Sequence, residues 1–184
     1  MPKNISKELE NAILTLTQKE KDRHLLRLIA KNQLLREQMQ FTLLEDESDL
    51  GWRREELSDL MSQMFETPYS YTGILLKDIR MVSAKITWHR RVTKDKYGEA
   101  DLALTLLEKA LSNHQNQIAK SHRKAESLRV YLVRKGIAVI KYINALHEDF
   151  RIDFIKRMDK VLWQLHTFET KYSAALLNLP KAMD

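Results

Sequence analysis

Six histidines are the side chains best suited to bind a metal in this chain, and their spacing argues against it. They stand at His24, His89, His114, His122, His147 and His166. A metal site built on helices needs ligands three or four residues apart, so that both leave the same face, as in Glu-x-x-His. No glutamate stands three residues before any of these histidines, and no two of them are four apart. His147, Glu148 and Asp149 are contiguous, which sends their side chains in different directions around a helix. All six read as surface or helix-end residues, and no metal ligand is assigned.

Carboxylates are plentiful at one place, with Glu45, Asp46, Glu47, Asp49, Glu55, Glu56 and Asp59 crowded around a single helix start. Acidic side chains favour a helix's first turn, where the backbone dipole is positive. A general acid would need burial or a like-charged neighbour to raise its pKa, and this polar run offers a solvated face instead. There is no cysteine, which removes disulfides, thiolate metal sites and cysteine nucleophiles. The four glycines are isolated, so no glycine-rich loop exists to cradle a phosphate, and no Gly-x-Ser-x-Gly elbow occurs. No catalytic residue and no cofactor are assigned, and the expectation is a protein that is not an enzyme.

Binding is the chemistry that remains. From Lys77 to Lys96 there are seven Lys or Arg against two Asp, a local charge of +5, and from Lys120 to Lys135 six against one Glu, again +5. If both runs met at one end of the fold, Lys85, Arg90, Arg91, Lys94, Lys96, Lys120, Arg123 and Lys124 could form a track for the phosphates of a nucleic acid. Only Trp88 and Tyr97 in these runs could stack on a base, and no helix-turn-helix pattern stands out. A protein partner is the stronger expectation. Trp52 follows Gly51 and precedes Arg53 and Arg54, which marks it as an exposed anchor, and Trp88, Trp163, Met61 and Met64 could serve either a core or an interface. The segment Asp46 to Asp59 carries six acids against two Arg, a local −4, and a charge-split surface of this kind also suits self-association.

The elements that carry these residues are helical from end to end. Four Gly and three Pro in 184 residues leave few breaks, and the prolines (Pro2, Pro68 and Pro180) fall where helices would start or stop. Leu9, Ala12, Ile13 and Leu16 share one face of a first helix. Thr17 to Glu20 has the form of a capping box that opens the second, and Asn32 can cap a third, making an antiparallel hairpin. Thr67-Pro68 closes a fourth helix. Three more follow, over residues 74–88, 99–113 and 125–146, the last being the most apolar and hence expected at the centre of the core. Asp149 could cap a final helix running to Asn178. No run of about 18 apolar residues exists to cross a bilayer, and the N-terminus lacks the apolar core of a signal peptide, so the cytoplasm is the expected compartment.

Leu25 to Gln38, in which one helix ends in Ala30-Lys31 and the next begins with the pair Leu34-Leu35, resembles a hairpin of the HEAT and armadillo type. Ala100 to Leu111 has the Ala and Leu texture of a tetratricopeptide helix without that repeat's Trp, Gly and Pro landmarks. The chain is also similar in texture to small all-helical bacterial proteins. These resemblances imply a fold flavour and carry over no functional residue. The expectation is an all-α protein of antiparallel helical hairpins, either a short HEAT-like α-solenoid or a bundle of about seven to eight helices. It would form one domain over residues 1–184, which could part into an N-terminal hairpin unit, 1–67, and a C-terminal helical unit, 68–184.

Overall fold

The computed structural model describes residues 5–183. Among them are ten helices and no strand, so the protein is all-α. The helices are α1 (Lys7–Thr15), α2 (Gln18–Lys31), α3 (Gln33–Leu44), α4 (Glu47–Glu66), α5 (Thr72–Thr93), α6 (Lys96–Asn113), α7 (Gln115–Ile118), α8 (Arg123–Asn144), α9 (Glu148–Thr167) and α10 (Lys171–Leu176). Eight follow the apolar periodicity. The short α7 and α10 lie in segments too brief for a periodic pattern to show.

The helix starts are set locally. Thr17 accepts from the Glu20 N–H while Glu20 reaches back to the Thr17 N–H, closing the capping box. Asn32 Oδ1 accepts from the Leu35 N–H at 3.1 Å and starts α3 after a single linking residue. Asp149 does not cap α9. The cap position belongs to His147, and Asp149 lies in the first turn, where its charge faces the positive end of the dipole.

The chain divides into two compact units, Met1–Asp46 and Glu47–Asp184. The seam falls before α4 rather than after Pro68, because α4 packs against both α5 and α6. In the first unit α2 and α3 form the antiparallel hairpin. None of the side chains on α1, α2 or α3 is buried, and Leu26, Leu28, Leu43 and Leu44 are each at least 60% exposed.

The second unit is a bundle around α6, which packs against α4, α5, α8 and α9. In a solenoid each helix meets only its neighbours along the array, so a helix enclosed on four sides marks a bundle. Leu102, Leu104, Leu106 and Leu107 of α6 are all buried, as are Ala100, Ala103 and Ala110. The alanines let four neighbours approach closely, and this places α6 rather than the more apolar α8 at the centre. On α8 the residues Tyr131, Ile137, Ile140 and Tyr142 remain half-buried at the margin of the core. Met61 and Met64 belong to that core, Trp88 is half-buried, and Trp163 is 58% exposed.

Candidate functional site

Helices α4 and α5 are consecutive neighbours that pack against each other, and a groove runs between them. Pro68 lacks an N–H and forces the turn, and Tyr71 precedes the first turn of α5 without a side-chain cap. Two hollows run along the groove, and a third, lined by no residue of α4, adjoins its end at the first turn of α5. The first, of about 460 Å³, is lined by Arg53, Glu56 and Leu57 from α4 and by Met81, Lys85 and Trp88 from α5. The second, of about 610 Å³, has Leu60 and Met64 on one wall and Ile74, Asp78 and Met81 on the other. The third, of about 710 Å³, is bounded by Tyr71, Thr72, Ile74, Lys120, His122 and Lys124. Met81 is common to the first two, and Ser70, Tyr71 and Ile74 to the last two, so neighbouring hollows share walls.

The apolar residues along this groove have a repeat. Ile74, Met81 and Trp88 follow one another at seven-residue intervals on α5, and Leu57, Leu60 and Met64 stand at i, i+3 and i+7 on α4. Such stripes are the seams of coiled coils, where side chains of one helix fit between those of the next. Ile74 is 51% and Met81 44% exposed, so the other described helices of the second unit leave the α5 seam partly uncovered.

The two ends of the groove are cationic. At one end Arg53 and Lys85 flank Glu56, and the Arg91 guanidinium lies 5.5 Å from the centre of the Trp88 ring. At the other, Lys120 donates to Gln117 Oε1 at 2.8 Å and to the Ser70 carbonyl at 3.4 Å, while the Lys124 stem lies over Gly73. His122 Nδ1 accepts the Ala125 N–H at 3.3 Å, which leaves Nε2 as the protonated nitrogen facing Thr72 Oγ1 at 3.3 Å. Thr72 in turn donates to Gln117 Oε1 at 2.8 Å, and Gln117 Nε2 donates to the Tyr69 carbonyl. This end is therefore rigidly knit and bears no carboxylate in its lining. In the middle, Asp78 accepts from Tyr69 Oη at 2.9 Å, and burial together with that carboxylate raises the phenol's pKa above its usual range.

The basic residues singled out from sequence separate into two groups at opposite ends of α5. Lys120 and Lys124 lie by its first turn, with Arg123 next to Lys124 in sequence at the start of α8, whereas Arg90, Arg91, Lys94 and Lys96 lie at or beyond its last. Seventeen residues from Gly73 to Arg90 span about 26 Å at 1.5 Å per residue. They do not share one end of the fold, and Lys85 stands between them. Arg90 pairs with Glu99 at 3.4 Å, and Lys94, in the left-handed conformation at φ 62°, donates to the Arg91 carbonyl at 2.9 Å. Lys96 is exposed at the start of α6. Of the proposed partner-binding set, Trp52 is 77% exposed and Arg53 lines the groove. Arg54 is engaged with Asp95 and ties α4 to the turn before α6.

That clasp, and a second one, escaped the sequence reading. Asp95 takes the Arg54 guanidinium, His89 Nε2 at 3.1 Å and the Gly98 N–H at 2.8 Å. Burial alone would raise its pKa. The hydrogen bonds from His89, Arg54 and Gly98 outweigh that and hold the carboxyl well below the usual range. Asp-x-x-Gly is a helix-capping spacing and was the available signal. The second is Lys135, a buried lysine whose Nζ donates to Ser83 Oγ at 2.6 Å and lies 5.6 Å from the Tyr142 ring centre. Burial lowers its pKa to about 8 against the opposing pull of Glu99. A lysine beside a serine can activate the hydroxyl as a nucleophile, but neither side chain lines the hollows described above. The pair is a brace between α5 and α8. His114 packs against Phe65 and Tyr69, and burial pushes its pKa down.

Among the described residues no three His, Asp or Glu converge as metal ligands, and no helix is long and apolar enough to cross a membrane. No family model, no curated protein and no solved structure matches the chain.

Proposed function

We propose that this chain is a non-enzymatic protein-interaction module whose α4–α5 groove receives a helix of its partner. The observation that carries the reading is the seven-residue apolar seam of exposed Ile74 and Met81 and half-buried Trp88, along a groove whose other wall carries a stripe of Leu57, Leu60 and Met64. Two helices that present such seams to one groove leave the position of a third helix vacant. The HEAT-like hairpin of residues 25–38 and the exposed leucines of α2 and α3 agree with a role in protein contacts. The module is proposed to work in the cytoplasm, which fractionation of cells expressing the tagged chain would check.

The test uses the absence of cysteine. Ala84→Cys, on the exposed lip of the groove, gives a unique attachment point for an environment-sensitive dye in the full-length chain. The probe is a synthetic amphipathic helix of about three heptads with Leu at the a and d positions. Saturable binding reported by the dye and abolished by Met81→Glu is the expected result. A dye signal unaffected by Met81→Glu would remove the groove from consideration.

Nucleic-acid binding is the second reading, favoured by the cationic end that Lys120 and Lys124 form. It predicts binding to mixed-sequence duplex or single strands at about 50 mM salt that falls steeply at about 200 mM. No binding at the lower salt would end it.

A further inference from the structure

We infer that the helix taken by the α4–α5 groove is acidic at its ends, with its heavier cluster of carboxylates over Lys120 and Lys124. This inference rests on the groove being a helix-binding site and specifies the chemistry of the occupant.

The charge distribution along the groove carries it. The hollow at the α5 N-terminal end is lined by Lys120, Lys124 and His122 and by no carboxylate. Among the described residues Lys124 makes no ion pair, and Lys120 is held by uncharged acceptors, Gln117 Oε1 and the Ser70 carbonyl. At the far end Arg53 and Lys85 outnumber Glu56. The one other acid of the lining, Asp78, already accepts the Tyr69 hydroxyl. Cations thus bracket an apolar floor on both sides. From Ile74 to Trp88 is 14 residues, or about 21 Å, which an occupant of about four helical turns would cover. Such a helix would place apolar residues on Ile74, Met81 and Trp88 and carry carboxylates beyond each end of that stripe.

The same floor argues against a polynucleotide in this groove. A phosphate backbone laid between the two cationic ends would set its charges across the exposed Ile74 and Met81, which gain nothing from phosphate. An acidic amphipathic helix satisfies both the floor and the ends, and the cationic ends would also speed its encounter.

Three synthetic helices separate the possibilities. They share one Leu stripe and differ only in carrying Glu, Gln or Lys at both ends. Fluorescence anisotropy against the full-length protein at about 50 mM and about 300 mM salt reads their affinities. The Glu-ended helix is expected to bind about three- to tenfold tighter than the Gln-ended one at the lower salt, the size of two or three exposed ion pairs, with the gap closing at the higher salt. The double substitution Lys120→Gln with Lys124→Gln should erase most of that preference, with an unchanged melting curve showing that the fold survives. Equal affinities for the Glu-ended and Gln-ended helices would overturn the acidic occupant and leave the groove reading standing. Failure of all three to bind would overturn both. Displacement of the bound Glu-ended helix by a mixed-sequence RNA or DNA of higher affinity would replace the acidic helix with nucleic acid.

Discussion

Arg54 grips Asp95 with both arms of its guanidinium, Nε to Oδ2 at 2.7 Å and Nη2 to Oδ1 at 2.8 Å, across 41 residues of sequence. Arg54 is partly exposed and Asp95 almost wholly enclosed, so water screens only one side of the pair. The same carboxylate caps α6 through Gly98 and holds His89, which makes it the point where α4, the end of α5 and the start of α6 are pinned together.

Asp95 should make stability acid-sensitive. Its pKa in the fold lies below the unfolded value near 4, so the stability it contributes is present above about pH 4 and is lost as pH falls below it. Asp95→Asn should unfold more easily than the native protein at neutral pH, by about 2–3 kcal/mol, and should show a flatter loss of stability below about pH 4. Urea unfolding followed by circular dichroism between about pH 2.5 and pH 7 measures both. An unchanged acid slope in the variant would exclude Asp95 as its source.

Gly98 should tolerate no side chain. A Cβ there would lie 2.0 Å from Asp95 Oδ2 and 2.8 Å from Arg54 Nε. Gly98→Ala must therefore push the carboxylate from its cap and partner, costing about 2 kcal/mol or more despite alanine's better helix propensity. Because both changes break the same clasp, combining Gly98→Ala with Asp95→Ala should cost clearly less than the sum of the two. A double-mutant cycle by urea melts reads that coupling, and strict additivity would contradict it.

Lys135 should act in the opposite pH range. Its pKa of about 8 in the fold is below the unfolded value near 10.4, so the unfolded chain binds more protons between those limits and stability rises with pH across them. The rise attributable to this group is about 3 kcal/mol. Lys135→Met should lack it, a difference visible in unfolding curves taken at about pH 7.5 and pH 10. If the variant and the native protein respond equally, Lys135 is not the titrating group.

The two units should differ in their sensitivity to truncation. Leu104 is fully buried in α6, and Leu104→Ala should cost about 2–5 kcal/mol. Leu26 and Leu28 on α2 are 66% and 60% exposed, and replacing either by Ala should change stability by about 0.5 kcal/mol or less. Limited proteolysis should also cut first within residues 5–46, where no helix has a buried side chain. Cleavage beginning in α6 or α8 would run against this.

What the sequence alone determined is the local part of the structure. Helix type follows from 3.6-residue periodicity and scarce breakers. Several boundaries follow from groups that act within three residues, such as Thr17 on Glu20, Asn32 on Leu35 and Pro68 at the turn. Arg53, Lys85, Trp88, Lys120 and Lys124 could be named as binding candidates from residue type and local charge, because exposure of charge is a composition-level property. Their arrangement could not. Whether two basic segments meet depends on helix direction and length, and α5 is long enough to hold them about 26 Å apart. Ile74 reads as a core residue from its periodicity, yet it faces the groove, because the stripe on α5 is wider than the surface its neighbours cover. The Arg54–Asp95 clasp and the Lys135–Ser83 brace join residues 41 and 52 positions apart, and only packing around α6 brings those side chains within hydrogen-bonding distance.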